Sequence, residues 1–222
     1  MGAGDGAGAG PLDRLGLGSV TETGGRFLLD PTDEHEPTLL TASAKGRAQR
    51  VAFLTHALEI AARLGSETMS LWPGVPKRRV NGAQAFEWLH EGLKSVLDAA
   101  ERLGVPASLE PEPEMLVETL VDHATPVERH PHLRLALDTG RCLVTQDVEP
   151  ADAVRASAAR IGTVAIEDMA RRPHAPAVRD GDMDVSGVLA AIREVGFRGL
   201  VCVRLRRESP RALGRSRTRL GC

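Results

Sequence analysis

The sequence predicts an α/β fold built on a parallel sheet. Three observations carry this reading. Short apolar runs alternate with amphipathic helical stretches, a glycine stop recurs behind the helices, and no two-residue hairpin turn joins neighbouring runs. The chain has 222 residues, enough for one domain or slightly more.

Residues 1 to 10, MGAGDGAGAG, are Gly/Ala-rich with one charge, so a flexible tail is expected over 1–14. Neither G-x-G-x-x-G nor G-x-x-x-x-G-K-[ST] fits those glycines. The run LGLGSVTE then opens the ordered region. ARLG (62 to 65) closes a helix that places Val51, Leu54, Leu58 and Ala61 on one face. The strand TMSLW follows. ERLG (101 to 104) closes a second helix, with Phe86, Leu89, Leu93, Val96, Ala100 and Leu103 on its apolar face, and PASLE follows. A helical stretch near 114 to 124 leads through the turn HPH into LRLALD, and His130 and His132 of that turn are expected to be solvated. ARIG (159 to 162) and REVG (193 to 196) read as further helix stops, ahead of TVAIED and LVCVRL. Six strands result, spaced about 27 to 40 residues apart over most of the chain. A (β/α)8 barrel and a doubly wound sheet both accommodate them, and periodicity alone does not choose.

Composition narrows the function classes. At 42% hydrophobic and 26% charged, the chain can bury a core, and no apolar run is long enough for a bilayer. A formal charge of -2 gives no drive towards nucleic acid or acidic membranes. Four Phe, two Trp and no Tyr argue against a base-stacking platform. Three cysteines without a C-x-x-C pair suit a reduced, cytoplasmic setting, and the N-terminus lacks a signal-peptide pattern. The last nineteen residues hold seven arginines against one acid, so 210–222 reads as an Arg-rich disordered tail.

The candidate chemistry stands at the carboxyl ends of the runs: Glu22, Trp72, Glu110 with Glu112, Asp138, Glu167 with Asp168, and Arg204. Parallel α/β folds build their sites there. Acids at four of six strand ends would converge, and oxygen ligands suit Mg²⁺ or Mn²⁺. Taken singly, each acid is equally a turn residue or a helix cap. No G-x-S-x-G elbow, H-E-x-x-H pair or cysteine-pair zinc site is present.

The segments ETGGRFLLDP (22 to 31), SLWPGVP (70 to 76), LEPEPEM (109 to 115), LALDTGRC (135 to 142), VAIEDM (164 to 169), GDMD (181 to 184) and VCVRLRRES (201 to 209) occur in this order. Together they resemble the sugar phosphate isomerase/epimerase family of the xylose isomerase-like TIM-barrel superfamily, over roughly residues 15 to 209. The resemblance implies a TIM-barrel-like (β/α) domain at 15–209. It also implies a divalent metal (Mn, Mg, Co or Zn) at the carboxyl face and proton transfer through an enediolate-like state. Carried over residue by residue, Glu110 is the first metal ligand and a catalytic carboxylate, and Asp138 is the second ligand. Glu22, Trp72, Arg141 and His174 are the substrate-binding candidates.

Three positions depart from the pattern. Ala165 stands at the third ligand, Arg204 at the fourth, and Arg141 where a site histidine usually follows the Asp. Alanine offers no ligand, and a guanidinium puts a fixed charge where the cation belongs. Metal binding is therefore expected to be weak or lost, with Arg204 paired to Glu110 and Asp138. The register also implies that the first two βα units are missing, leaving about six of eight strands and open edges near Val20 and Val203. The implied activity is a sugar (phosphate) isomerase or epimerase, impaired in this copy. A degenerate member binding a small polyol or a protein partner is the alternative. A DNA-acting relative ranks last, for want of a basic groove and histidine ligands. The expected partner is a small sugar or sugar phosphate, not nucleic acid or membrane, with oligomerisation left open.

Overall fold

The computed structural model describes residues 12–77, 80–169 and 181–204. Beyond a 3-10 turn at Asp13–Leu15, the elements alternate. β1 (Thr21–Glu22), α1 (Ala44–Leu64), β2 (Met69–Leu71), α2 (Gly82–Leu103) and β3 (Ala107–Leu109) come first. α3 (Leu120–Arg129), β4 (Arg134–Asp138), α4 (Thr139–Thr145), α5 (Pro150–Ser157), β5 (Ile161–Ile166), α6 (Val185–Glu194) and β6 (Val201–Val203) complete the set. The six strands lie in sequence order and every pairing is parallel. This is an incomplete TIM-barrel-like sheet of six strands. The tail expected at 210–222 and most of that at 1–14 lie outside the described residues. Among the described residues, no helix is long and apolar enough to cross a membrane.

Local chemistry sets the helix limits. Ser43 caps α1 by accepting from the Gly46 N–H at 3.1 Å, and Asn81 caps α2 by accepting from the Gln84 N–H at 2.8 Å. Gly65 and Gly104 end these helices at φ 67° and 69°, where a side chain would be strained. Leu54, Leu58, Leu89, Leu93 and Val96 bury the facing stripes, while Val51, Phe86 and Leu103 are half-buried at the margins. The third helix starts later than the periodicity suggests. Glu114 takes φ 69°, and a Thr119–Asp122 capping box places the start at Leu120.

Two other sequence expectations need correction. Gly162 is not a helix stop, because it lies inside β5, where a Cβ would run into Ser108 Oγ. It is a close-approach glycine. His130 is half-buried rather than solvated, with its ring 5.3 Å from that of His90, whereas His132 is exposed.

Side chains alternate across the sheet, apart from a register shift between β4 and β5 at Leu135/Ala136. Met69, Leu71, Leu109, Leu135, Leu137, Val164 and Ile166 pack outward under the helices. Ser70, Ser108, Ala136, Thr163, Ala165 and Cys202 occupy the opposite phase. That inner face is small and hydroxyl-rich: Thr68 and Ser108 share a hydrogen bond at 2.7 Å, and Ser19 and Ser66 one at 2.8 Å. Small interior groups let six strands curl tightly.

β1 and β6 are the sheet edges and pair with each other nowhere along the described backbone. Side chains tie the β6 end of the sheet to the β1–β2 end instead. The Leu200 N–H donates to Glu67 Oε2 at 2.8 Å near the amino end, and Arg204 Nη2 donates to Glu22 Oε1 at 2.7 Å near the carboxyl end. The outward-phase Val201 and Val203 of β6 are left 36% and 62% exposed.

Arg50 is the one charge in this core without a carboxylate partner among the described residues. It is 6% exposed and stacks over Phe53 at 5.1 Å, and burial pushes its guanidinium down to about 10. Replacing Arg50 with methionine keeps most of the stem contacts and removes the desolvated charge. The expected outcome in urea unfolding is a gain of about 1 kcal/mol. A loss of similar size would mean that the guanidinium has an acceptor worth more than its desolvation.

Candidate functional site

The alternation that buries Val164 and Ile166 outward sends the residues at the strand ends inward. The Arg204 N–H donates to the Ile166 carbonyl at 2.9 Å, continuing the β5–β6 ladder one residue past β6. Its side chain therefore shares the phase of Cys202 and enters the mouth of the curled sheet. Glu110 stands one residue past β3, its N–H donating to the Leu71 carbonyl at 2.9 Å. Asp138 closes β4, and Glu22 closes β1.

One guanidinium collects all three carboxylates. Arg204 Nη1 donates to Asp138 Oδ2 at 2.8 Å and to Glu110 Oε1. Its Nη2 donates to Glu110 Oε2 at 3.1 Å and to Glu22 Oε1 at 2.7 Å. Glu110 is thus held by both arms of the fork, the geometry for which arginine is suited. Glu110 and Asp138 are only 2% and 3% exposed, so water does little to stabilise their charge. Glu22 is half-exposed and the most easily displaced of the three.

Asp138 has a second task. Its Oδ1 caps α4, accepting from the Gly140 N–H at 2.8 Å and the Arg141 N–H at 3.4 Å. Gly140 is required there because a Cβ would strike the Glu167 carbonyl oxygen. Arg141 turns to Glu112, with Nε 2.9 Å from Oε2 in an ion pair off the hydrogen-bond line, and lies 3.8 Å from Asp138 Oδ2. Both Arg141 and Glu112 are buried.

Burial pushes the Glu110 carboxyl above the usual carboxylate range. The hydrogen bonds and charge of Arg204 pull it back, while Asp138 and Glu22 add to the rise. Burial also opposes the charge of Arg204. The hydrogen bond and charge of Glu110, with Asp138 and Glu22 behind them, outweigh it and raise its pKa, so the guanidinium stays cationic.

Trp72 follows β2 at the same end of the sheet. Its indole lies against Gly24, where a Cβ would come within 2.6 Å, and the His35 ring meets it edge-on at 5.7 Å. It borders the end of β1 rather than touching Glu110 through any described contact. His174 lies outside the described residues. Sequence reasoning placed Glu112 at a strand end without a partner. The spacing of LEPEPEM, with acids at alternate positions, was the available signal for its shared side with Glu110. A half-open recess beside Asp138 and Arg141 measures about 10 Å³, room for one water.

The residues present do not fit a divalent cation. Ala165 pairs in register with Asp138 and with Cys202, so it shares their side of the sheet and offers only a methyl group. The point that faces both Glu110 and Asp138 is taken by Arg204 Nη1. Among the described residues, no three His, Cys, Asp or Glu side chains converge as a metal-holding group. Two carboxylates beside a permanent positive charge make a poor cation site.

A parallel βα sheet whose strands run in sequence order, with polar side chains gathered at the carboxyl end, is the arrangement of a TIM-barrel-type protein. The model of one family, the xylose isomerase-like TIM barrel, matches residues 26–219, and the chain belongs to that family. Solved structures share the fold. The 3-keto-D-glucoside 4-epimerase YcjR from E. coli, in its apo form, superposes with a TM-score of 0.73 at 15% identity, covering 94% of this chain and 80% of that one. The IolI protein with a binding zinc atom gives 0.64 at 20% identity, over 79% of this chain and 67% of that one. D-psicose 3-epimerase with D-tagatose, from Clostridium cellulolyticum H10, gives 0.61 at 20% identity, over 75% of this chain and 59% of that one. At these identities the likeness carries the fold alone. No curated protein matches the sequence.

Proposed function

We propose that this chain is a sugar isomerase/epimerase-type protein that binds a sugar or sugar phosphate at the carboxyl end of the sheet, with the Arg204 guanidinium in place of the divalent ion. The carrying observation is that Arg204 joins Glu22, Glu110 and Asp138 at one point. The family membership and the epimerase names among its structural neighbours support the substrate class.

In this reading, the half-exposed Glu22 yields its place on Nη2 to a sugar carbonyl or hydroxyl. A fixed guanidinium then stabilises negative charge growing on that oxygen. Glu110, with its raised pKa, is the group suited to take and return the proton beside the carbonyl. Trp72 offers an apolar wall for the ring. Arg141 is tied to Glu112 and orients Asp138 more than it reaches out.

A second reading, binding without turnover, is favoured by the way the fork is already bonded to three carboxylates. Solvent-deuterium exchange into D-tagatose, L-ribulose and 3-keto-glucosides, read by NMR in the presence of EDTA, separates the two. Exchange that survives EDTA and is lost in Glu110→Gln supports proton transfer. Ligand shifts without exchange support binding alone. Neither shifts nor exchange across free and phosphorylated sugars would overturn both.

A further inference from the structure

A cavity of about 410 Å³ opens at the opposite end of the sheet from Glu110 and Asp138, within the size range of small-molecule sites. It lies where Gly104 and Pro106 lead into β3 and where Pro131 and His132 lead into β4, between the last turns of α2 and α3. Its composition is two-sided. Leu97, Ala100, Val105 and Ala107 supply an apolar floor, and Lys94, Arg129 and Arg134 supply a cationic rim with His130 and His132.

The acids in the lining are Asp98 and Glu101, and Lys94 already holds Asp98 at 2.8 Å. The two guanidiniums come from different elements, α3 and β4, and each spends one nitrogen elsewhere. Arg129 Nη1 donates to Glu87 at 2.7 Å, and Arg134 Nη1 donates to the Ala159 carbonyl at 3.1 Å. Five donors on each fork leave several free for an incoming oxygen anion.

Imidazoles back the same wall. His130 lines the cavity, and behind it His90 is 5% exposed, with the two rings 5.3 Å apart.

We propose that this cavity binds a small organic anion, with a carboxylate or phosphate head between Arg129 and Arg134 and a short apolar body on Leu97, Val105 and Ala107. Octanoate, octyl phosphate and octanol titrated into the whole protein, read by amide NMR and calorimetry, test this. Saturable binding of either anion is expected, with shifts confined to residues 94–107 and 129–134, and octanol at least tenfold weaker. Which anion binds tighter assigns the head group. The double change Arg129→Gln with Arg134→Gln should weaken the anion at least tenfold. Should that variant not fold, the shift map and the octanol comparison on the unaltered protein decide. No saturable binding, shifts centred elsewhere, or octanol binding as well as the anions would overturn the proposal.

Discussion

Replacing Arg204 with glutamine should lower the unfolding free energy by about 3 kcal/mol near neutral pH, the lower end for breaking a buried ion pair. Glu110 would be left buried with no counter-charge, Asp138 would keep only Arg141 at 3.8 Å, and the bridge between β6 and β1 would be lost with them. Glu22 serves as the control. It is half-exposed, so Glu22→Gln should cost about 0.5 kcal/mol, as exposed pairs do. The same experiment has a pH signature. Burial already raises the Glu110 carboxyl, and Arg204 is what restrains it. Without the guanidinium its folded-state pKa rises further above the unfolded value. A group raised in the folded state supports folding below its unfolded pKa and loses that support as pH climbs through the folded pKa. The variant should therefore recover part of its deficit as pH is lowered from neutrality towards the ordinary carboxylate range and Glu110 takes up its proton. Urea unfolding across that range measures the gap. A deficit under about 0.5 kcal/mol, or one flat with pH, would mean that water already stabilises these carboxylates.

The position of Arg204 was legible in the sequence because a strand has a period of two. In LVCVRL, Arg204 is out of phase with Val201 and Val203, so exposed valines outward place the guanidinium inward. Glu110 and Asp138 were legible for a related reason, since both end apolar runs and parallel strands deliver their ends to one side. What resisted reading depends on contacts between distant segments. A glycine after a helix and a glycine admitting a neighbouring strand look alike in sequence, which hid the role of Gly162 against Ser108. His130 looked solvated because its turn is polar, and only the approach of α2 brings His90 against it. The bridging of the sheet edges was equally hidden. It requires the curvature of all six strands before Glu67 can meet the Leu200 N–H.

The largest gain of function is expected from Arg204→Glu combined with Ala165→His. Either change alone should do little for metal. Ala165→His leaves the guanidinium on Glu110 and Asp138, where it repels a cation. Arg204→Glu alone gathers carboxylates without the imidazole that would complete a ligand set. Together they place an imidazole beside Asp138, with which Ala165 is in register, and exchange a positive charge for a negative one at the centre. Calorimetric titration should show Mn²⁺ affinity raised at least tenfold over the original chain, about 1.4 kcal/mol. The gain should exceed the sum of the single changes, because the two sites share one ion. Stability supplies an independent readout. The metal-free double variant should melt below the original, for it holds like charges together, and Mn²⁺ should raise its melting temperature while leaving the original unmoved. Equal, tight Mn²⁺ binding by both proteins would sink this reading, since the original chain would then hold the ion through residues other than Glu110, Asp138 and the two altered positions.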